Sequence, residues 1–469
     1  MLGRVFKAYD IRGVYSDLLT DQMGWQIGYG SSRYLLEDAA KAGETTPMMH
    51  NIVVGRDMRT SSPTLSGRLC DGIRAHGGHV IDVGMVDTPF IYFAVNHLDC
   101  AGGVQVTASH NPPQYNGFKI SKRQAKPVGE ATGLAEIRKY AAMADKNTPT
   151  DLKGRIEERD LWGPYIKHVR HFLKLNGASL KVVVDASNGM AGTAVPKIFG
   201  KDGSDIEGLE IVELNFDNSK GEFVHEPNPL VAANLEQLQQ AVVAEKADCG
   251  ICFDGDADRL VVVDELGQIV GCDHLTALLA ERFLEQSPGS PIVYDLRSSK
   301  AVAEDVAKAG GKPMRGRVGH VFMKQLLADE GAVFGGELSG HFYFRDNFNA
   351  DSGVIAMGAV LTTLAEAGKP MSKLIAPILR YHQSGEINFE IEDKDAAIEE
   401  VLEAYADRGD IDELDGITVD CFDSEGWWCN IRKSNTEPLL RLNAEAKTPD
   451  LLEKMVAELS PMLGDRVAH

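Results

Sequence analysis

The sequence predicts an α/β fold in three related blocks, followed by a smaller α+β unit. Short apolar strands alternate with helix-like stretches up to about residue 380, which is typical of α/β layers. Each of the three blocks ends in a polar loop between two apolar strands, where α/β sheets usually bind ligands. The length of 469 residues allows three or four domains.

The three blocks repeat one order of strands and loops. Block one contains the strands NIVVGRD (51–57), GHVIDVG (78–84), AGGVQVT and GFKIS (117–121), with the loop 108–112 before the last. Block two contains LKVVVDASNG (180–189), LEIVELN, ADCGICF and LVVVDE (260–265), with the loop 254–258. Block three contains SPIVYDLRSS (290–299), GKPMRGRVGH, GAVFGGE and HFYFRD (341–346), with the loop 338–340. We therefore expect three domains to contribute loops to one site.

The pattern changes after about residue 380. EINFEIED predicts a strand, DAAIEEVLEAYADRG a helix, and GITVDCF, WWCNIR and PLLRLNAEA three strands. Thr448 caps a last helix that has Pro449 at its first position. The expected domains are 1–153 with the loop 108–112, 154–267 with the loop 254–258, 268–377 with the loop 338–340 and 378–469 with the loop 432–438. Candidate linkers are 144–154 and 366–372.

The composition excludes several classes of partner. Lys and Arg number 48 against 69 Asp and Glu, a formal net charge of −21. A chain this acidic is poorly suited to nucleic acid or an anionic membrane, since both require basic surface. No signal peptide and no transmembrane stretch is predicted. Seven scattered cysteines favour reduced thiols in the cytoplasm, and Cys249 and Cys252 fit a buried strand.

A stiff polar loop joins the last two strands of the first block. It contains Ser109 directly before His110, and Pro112 and Pro113 bias Asn111 to an extended shape. A serine in a turn often only hydrogen-bonds the local backbone. A hydrolase triad is disfavoured because no GxSxG elbow is present. A functional role for Ser109 therefore requires a partner elsewhere in the chain.

The loop of the second block places carboxylates at alternate positions, Asp254, Asp256 and Asp258. Three negative charges this close repel strongly without a cation, and three carboxylates with a phosphate oxygen suit Mg²⁺. A phosphorylated Ser109 could supply that oxygen. A solvated acidic turn is one alternative. An EF-hand is another, although Arg259 replaces the glycine that its sharp turn requires.

Two further loops offer groups that suit a phosphorylated sugar. In the third block, Glu337 accepts hydrogen bonds and Ser339 both donates and accepts them, as vicinal sugar hydroxyls require. The loop 432–438 offers a guanidinium, hydroxyls and an amide, which match a phosphate, with an ordinary capped turn as the alternative. The residues of this second group are Arg432, Ser434, Asn435, Thr436 and, on the next strand, Arg441.

Together these loops resemble those of the α-D-phosphohexomutases, in the phosphomannomutase/phosphoglucomutase branch. The resemblance spans nearly the whole chain and implies four domains around a central cleft, the first three sharing a related α/β fold. Leu338 stands where phosphoglucosamine mutases usually have glutamine, which keeps the glucose/mannose type. The matching motifs are AYDIRG from Ala8, TASHNP from Thr107, DGDADR from Asp254, GELSGH from Gly336 and RKSNT from Arg432.

The resemblance implies a role for each matching residue. Ser109 is expected to be the phosphoserine, and with Asp254, Asp256 and Asp258 it is expected to hold Mg²⁺. The other expected catalytic residues are Lys119, Arg259, His320, Arg12 and His110. The expected substrate-binding residues are Tyr9, Arg297, Gly336, Glu337, Ser339, Arg432, Ser434, Asn435, Thr436 and Arg441.

The reaction implied by this resemblance interconverts hexose 1-phosphates and 6-phosphates, of mannose, glucose or both. Phosphorylated Ser109 would donate to the free hydroxyl, and a hexose 1,6-bisphosphate would serve as intermediate and activator. Lys119 or His320 would move the hydroxyl proton. A haloacid-dehalogenase-like phosphatase, with Asp254 as nucleophile and Asp256 as acid, and a binding module without turnover are the alternatives. We expect a cytoplasmic monomer or small homo-oligomer with hexose phosphates as its ligands.

Overall fold

A computed structural model of the protein contains four β-sheets that follow one another along the chain. The structure describes residues 2–43, 46–144, 148, 151, 153–200, 206–434 and 439–467. The expected fold class is confirmed, since three mixed α/β sheets are followed by an antiparallel sheet with two helices. Of the expected linker 144–154, only part lies within the described residues. None of the helices described in these ranges is long and apolar enough to cross a membrane.

The first unit has a six-stranded sheet in the order β1-β5-β4-β2-β3-β6. Residues 156–158, which the expected boundary assigns to the second domain, form its edge strand by pairing with His79–Met85. The strands are β1 Ile11–Val14, β2 Asn51–Arg56, β3 His79–Met85, β4 Gly102–Val106, β5 Tyr115–Lys122 and β6 Ile156–Glu158. The helices are α1 Asp21–Lys41, α2 Ser62–His76, α3 Thr88–His97 and α4 Leu134–Met143.

The second unit has a five-stranded sheet in the order β11-β10-β9-β7-β8. Cys249 and Cys252 lie buried in its strand β9, as the sequence predicts. The strands are β7 Leu180–Asp185, β8 Leu209–Leu214, β9 Cys249–Phe253, β10 Leu260–Asp264 and β11 Ile269–Val270. The helices are α5 Trp162–Arg170, α6 Ala191–Phe199 and α7 Glu236–Glu245.

The third unit has a five-stranded sheet in the order β13-β12-β14-β15-β16. The segment 366–372, expected as a linker, includes the end of one helix, α11, and the start of the next, α12, and both helices contact α8 of the same unit. The strands are β12 Pro291–Asp295, β13 Lys312–Gly316, β14 Phe334–Gly336, β15 Phe342–Phe344 and β16 Ala350–Asp351. The helices are α8 Cys272–Gln286, α9 Lys300–Lys308, α10 His320–Glu330, α11 Gly353–Ala367 and α12 Met371–Ile375.

The fourth unit has an antiparallel sheet in the order β18-β19-β20-β21-β17-β22. Thr448 caps its last helix by accepting a hydrogen bond from the backbone N–H of Leu451, which confirms the predicted start. The strands are β17 His382–Glu390, β18 Asp410–Asp412, β19 Ile417–Cys421, β20 Trp427–Lys433, β21 Leu439–Ala446 and β22 Asp465–Val467. The helices are α13 Lys394–Tyr405 and α14 Pro449–Leu463.

The first three sheets share one topology. In each, a central strand (β2, β7 or β12) has a parallel neighbour on both sides, and one neighbour continues into an antiparallel partner. These central strands are largely buried, as expected for parallel strands covered by helices on both faces. The polar loop of each block connects the antiparallel pair, so three loops occupy equivalent places in three sheets.

The first three units share a buried apolar cluster, and the fourth unit has one of its own. One contiguous apolar cluster includes Val53, Val183 and Ile292, and so joins the first three units. The fourth unit has a cluster of its own, with Val401 and Trp427 among its members. The first three units therefore hold their loops in a fixed arrangement, against which the fourth unit packs.

Candidate active site

The serine loop and the carboxylate loop meet at the boundary between the first two units. The hydroxyl Oγ of Ser109 donates a hydrogen bond to Asp254 Oδ2 at 2.7 Å. The two loops lie so close that a Cβ on Gly255 would be 2.4 Å from the carbonyl oxygen of Ser109. Only glycine fits at position 255, and the contact fixes the serine beside the carboxylates.

The backbone of Ser109 adopts a left-handed conformation with φ of 50°. This conformation is unfavourable for a residue with a Cβ and persists only when its surroundings hold it. Thr107 Oγ1 accepts the backbone N–H of Ser109 at 3.0 Å. The backbone therefore turns the hydroxyl toward the second unit, and Ser109 itself is only 1 % exposed.

A buried arginine, Arg59, holds the same loop from behind. Its guanidinium donates to the carbonyl oxygens of Ser109 and Asn111 at 2.8 and 2.7 Å through Nη2. Through Nη1 it donates to the carbonyl oxygens of Pro112 and Tyr115 at 2.7 and 3.1 Å. Its Nε donates to Asp57 at 3.0 Å, so one side chain fixes four carbonyls of the serine loop.

The three aspartates form a buried cage. Asp254, Asp256 and Asp258 are at most 1 % exposed, and their nearest oxygens all lie within 4.8 Å of one another. Burial and the two neighbouring carboxylates raise the pKa of Asp254 well above its ordinary value. Three charges can therefore coexist here only with compensating cations.

Lys119, on β5 of the first unit, supplies one such cation. Its Nζ lies 2.8 Å from Asp256 Oδ2 and also contacts Asp258. Although burial lowers it, the charges of Asp256 and Asp258 raise the pKa of Lys119 above its ordinary value. Thr88 adds a further link between the units, since its hydroxyl and backbone N–H both donate to Asp256. Lys119 thus stays protonated as a counter-ion of the cage.

The cage suits a hard divalent cation. All its donors are carboxylate oxygens, with the hydroxyl of Ser109 beside them, which is the ligand type that Mg²⁺ prefers. Within the described parts of the chain, Asp256 Oδ1 and Asp258 Oδ1 are buried without a hydrogen-bond donor. Buried oxygens of this kind are costly unless a cation or another donor satisfies them.

Arg259 connects the cage to the loop of the third unit. Its Nε lies 3.9 Å from both Asp254 and Asp258 and donates to His341 Nε2 at 3.0 Å. The backbone continues this link, because Leu260 N donates to Gly340 O at 3.1 Å. The carboxylate loop and the loop between β14 and β15 therefore meet through Arg259 and His341.

His341, Asp351 and Lys324 form a chain of close contacts between buried side chains, which we call the relay. Its Nδ1 lies 2.7 Å from Asp351 Oδ2, and the other oxygen of Asp351 lies 2.6 Å from Lys324 Nζ. Although burial raises it, Lys324 and His341 hold the pKa of Asp351 well below its ordinary value. Asp258, His341 and Asp351 could also group around a cation. In this second group Lys324 Nζ already lies beside Asp351.

The loop between β14 and β15 contains a buried carboxylate, Glu337. Glu337 is 2 % exposed, and it accepts a hydrogen bond from Ser339 Oγ at 2.9 Å and another from the hydroxyl of Tyr343. Burial raises the pKa of Glu337 above its ordinary value. Gly336 approaches α8 so closely that a Cβ there would lie 2.0 Å from Thr276 Oγ1. The loop therefore presents Glu337 and Ser339 as one preorganised pair.

Arg12 and His110 lie beside the serine loop. Arg12 donates to the side chains of Asn111 and Asp10. His110 Nδ1 is 3.3 Å from Ser109 Oγ. Burial, together with Arg259 and Arg12, lowers the pKa of His110 well below its ordinary value, which keeps the imidazole neutral.

Tyr9 and His320 meet where the first and third units face each other. Their ring centroids are 5.8 Å apart with an edge-to-face angle of 76°, and the ring of His320 is 6.2 Å from that of His341. Burial lowers the pKa of His320 well below its ordinary value. His320 is therefore a neutral imidazole close to the residues around the cage.

Three arginines from two units form a second basic group. Arg432 and Arg441 of the fourth unit contact Glu386 at 2.7 and 3.0 Å, and Arg297 of the third unit contacts it at 3.5 Å. Ser434 begins the following loop, whereas Asn435 and Thr436 lie outside the described residues. The expected phosphate-binding arginines therefore converge on one carboxylate.

Sequence reasoning assigned no role to several residues that the structure places at the site. The local sequence does not indicate a role for them. Either their partners lie far away in the chain, or other residues of the same motif explain the motif. His341 ends the GELSGH motif, and Arg59 belongs to a polar loop after β2. The residues are Arg59, Thr88, Lys324, His341, Asp351 and Glu386.

Comparisons with family models match almost the whole chain in four consecutive segments. The models describe phosphoglucomutase/phosphomannomutase alpha/beta/alpha domain I at residues 3–148, domain II at 163–267, domain III at 272–381 and the C-terminal domain at 386–461.

Individual proteins show the same similarity. The chain is 37 % identical to "Phosphohexose mutases" from Xanthomonas campestris, over 98 % of each chain. It is 35 % identical to "Phosphomannomutase/phosphoglucomutase" from Pseudomonas aeruginosa, over 96 % of this chain and 93 % of that one. A solved structure of a phosphoglucomutase/phosphomannomutase family protein from Burkholderia thailandensis superposes with a TM-score of 0.84 at 32 % identity, covering 98 % of this chain and 96 % of that one.

Proposed function

Since the chain belongs to the phosphoglucomutase/phosphomannomutase family, we propose that this hexose phosphate mutase carries the transferred phosphoryl group on Ser109. The chain is an isomerase of the intramolecular phosphotransferase kind. The observation that carries the proposal is the hydrogen bond between Ser109 Oγ and Asp254 within a buried cage of three carboxylates. The substrates are hexose 1-phosphates and 6-phosphates of mannose, glucose or both.

The first transfer moves the phosphoryl group from the enzyme to the sugar. The bond between phosphorus and Ser109 Oγ breaks, a bond to the free sugar hydroxyl forms, and a hexose 1,6-bisphosphate results. The intermediate then reorients, and its other phosphoryl group returns to Ser109. Added bisphosphate activates the enzyme because it phosphorylates an unmodified Ser109.

The charges around Ser109 support this transfer. Phosphoryl transfer depends mainly on alignment and on neutralising the oxygens of the moving group. Asp254, Asp256 and Asp258 would hold Mg²⁺ beside the phosphoserine, where the ion would neutralise phosphoryl oxygens. Arg12 and Arg259 add fixed positive charge, and the burial of Ser109 limits competition by water.

The proton of the attacking hydroxyl needs a neutral base. Lys119 is engaged by two carboxylates and stays protonated, so it balances charge. His320 and His341 are the candidates that can accept a proton. In His341 the Nδ1 side faces Asp351, and Nε2 accepts a hydrogen bond from Arg259, so Nε2 would take the proton only after Arg259 turns to a phosphoryl oxygen.

The substrate would be held at two places. Glu337 and Ser339 pair through a hydrogen bond at 2.9 Å and offer acceptor oxygens to sugar hydroxyls. Arg432, Arg441 and the loop that starts at Ser434 would bind the phosphate that is not transferred. Because the bisphosphate must reorient, both places have to accept either end of the sugar.

The test combines a coupled assay with chemical labelling. We expect mannose 1-phosphate or glucose 1-phosphate to be converted when Mg²⁺ and a trace of 1,6-bisphosphate are present. Ser109→Ala should abolish conversion, whereas Ser31→Ala, at a buried serine in α1, should not. Label from the bisphosphate should stay on the protein in acid and resist hydroxylamine. Full activity of Ser109→Ala, or a hydroxylamine-sensitive label, would refute the phosphoserine.

A further inference from the structure

The arginine group around Glu386 has an unusual arrangement of charge. Arg432 of β20 and Arg441 of β21 are direct cross-strand partners, so their side chains leave the same face of the sheet. Like charges directly opposite each other destabilise a sheet. The carboxylate of Glu386 lies between them, at 2.7 Å from Arg432 and 3.0 Å from Arg441. A single carboxylate thus holds two opposed guanidiniums together.

An irregularity in strand β17 places Glu386 between the two arginines. The register of β17 against β21 shifts between Gln383 and Glu386. Gly385 in the bulge has φ of 66°, and Ser384 Oγ accepts the backbone N–H of Ala444 at 2.9 Å. A bulge redirects the side chains that follow it. It turns Glu386 toward the arginines rather than along the regular pleat.

The group also crosses between two units. Arg297, which follows β12 of the third unit, lies 3.5 Å from the same carboxylate while also pairing with Asp295. Although burial raises it, Arg432, Arg441 and Arg297 lower the pKa of Glu386 below its ordinary value, so the side chain is ionised. Three guanidiniums and two carboxylates leave a net charge of +1, which would be +2 without Glu386.

Within the described part of the chain, the donors of Arg432 are not all paired. Arg432 is 6 % exposed, and its Nε is buried without an acceptor among the residues that the structure describes. Burial, with the charges of Arg297 and Arg441, lowers the pKa of Arg432 despite the contact with Glu386. The cluster is therefore incompletely compensated, and a phosphate could use Nε together with donors that Glu386 now occupies.

We propose that Glu386 is the resident counter-ion of Arg297, Arg432 and Arg441, which together form the phosphate clamp. Glu386 releases these guanidiniums when a phosphate binds and pairs with them again when the phosphate leaves. This inference rests on the proposed function, in which the clamp must release one phosphate of the bisphosphate and bind the other in each cycle. A clamp of bare arginines would bind a phosphate dianion too tightly for that exchange. A resident carboxylate keeps the arginines in place and lowers the affinity for phosphate.

The experiment measures binding of inorganic phosphate to the full chain by calorimetry, in the Ser109→Ala background so that turnover does not interfere. Glu386→Gln should bind phosphate roughly tenfold more tightly, because a like charge next to the bound dianion is removed. Glu386→Asp should be intermediate, since the shorter carboxylate contacts fewer guanidiniums. Glu390→Gln, at an exposed position of the same strand, should match the parent.

Turnover in the chain with Ser109 intact gives the second readout. Glu386→Gln should lower both KM and kcat several-fold, because the substrate binds more tightly and leaves more slowly. Unchanged or weaker phosphate binding by Glu386→Gln would overturn the inference, as would an aspartate variant that behaves like the glutamine one. If the glutamine variant does not fold, the comparison of Glu386→Asp with the parent decides. Tighter phosphate binding by Glu386→Asp would support the inference, and equal or weaker binding would overturn it. Activity of Ser109→Ala would instead contradict the proposed function and leave the phosphate measurements meaningful.

Discussion

Ser109 Oγ lies 2.7 Å from Asp254 Oδ2, although the two residues are 145 positions apart in the chain. The contact joins the β4–β5 loop of the first unit to the β9–β10 loop of the second. It exists because Gly255 lets the two backbones approach and Arg59 holds the serine loop in place. The chemistry of the site therefore depends on the packing between two units.

Lys119 should act as the internal cation of the aspartate cage. We expect Lys119→Met to lower the melting temperature of the metal-free protein, because the variant leaves buried carboxylates with fewer counter-charges. Added Mg²⁺ should raise the melting temperature more in the variant than in the parent, since a competing cation is absent. Thermal unfolding with and without EDTA measures both effects.

Lys122→Met is the matched control for this experiment. Lys122 lies on the same strand, is partly exposed and pairs with Asp38 at 3.5 Å, away from the aspartate cage. Its variant should respond to Mg²⁺ as the parent does. An equal Mg²⁺ response in Lys119→Met and the parent would contradict the counter-ion role.

Arg59 should control both stability and the placement of Ser109. Arg59→Met removes the buried counter-charge of Asp57 and the guanidinium donors of four carbonyl oxygens, so we expect a loss of about 3–5 kcal/mol. Arg59→Lys keeps the charge but lacks the forked donors, and should retain more stability while losing much of kcat. Denaturant unfolding and steady-state kinetics measure the two effects.

Arg33→Met provides the comparison for Arg59. Arg33 pairs with Glu37 at 2.9 Å on a partly exposed helix surface, where such a pair is worth about 0.5 kcal/mol or less. Its substitution should change neither stability nor turnover appreciably. A lysine at position 59 with the parent's kcat would show that the forked donors of Arg59 do not position Ser109.

His341 and Asp351 should contribute to the proton transfer. His341→Gln is expected to lower kcat about 100-fold or more with little change in KM, because the variant loses the imidazole that Asp351 orients. Asp351→Asn should lower kcat less and shift its pH profile. The coupled mutase assay measures both, with His50→Gln, at an exposed histidine, as the control. Turnover of His341→Gln within twofold of the parent would remove His341 from the mechanism.

Asp87 should make stability depend on pH. This fully buried carboxyl accepts a hydrogen bond from Tyr165 at 2.7 Å, and burial raises its pKa to about 7 from 3.8. Between these two values the unfolded chain releases a proton that the folded chain retains. Stability should therefore fall as the pH rises from about 4 to 7, by on the order of 4 kcal/mol, and stay level above.

Asp87→Asn tests this pH dependence. The amide oxygen can still accept the hydroxyl of Tyr165, but the side chain no longer ionises. The variant should gain stability at pH 8 relative to the parent and lose most of the slope between pH 4 and 7. Denaturant unfolding over that range measures the slope, and parallel curves for the variant and the parent would contradict the assignment.

The sequence by itself determined the units that can be recognised locally. Composition alone predicts the apolar strands, such as those around Val53, Val183 and Ile292. The polar loops at the ends of the three blocks contain Ser109, the three aspartates and Glu337. Thr448 and Pro449 likewise predict the start of α14. These features depend on neighbouring residues, since strand propensity and capping act over a few positions.

Only the tertiary structure decided how these loops are held and balanced. Arg59 reaches Ser109 across 50 positions, and Thr88 reaches Asp256 across 168. His341, Asp351 and Lys324 form a relay that no spacing in the sequence predicts. The physical reason is that buried polar groups must find partners wherever the packing of separate sheets brings them, and sequence periodicity describes only the face on which a residue lies.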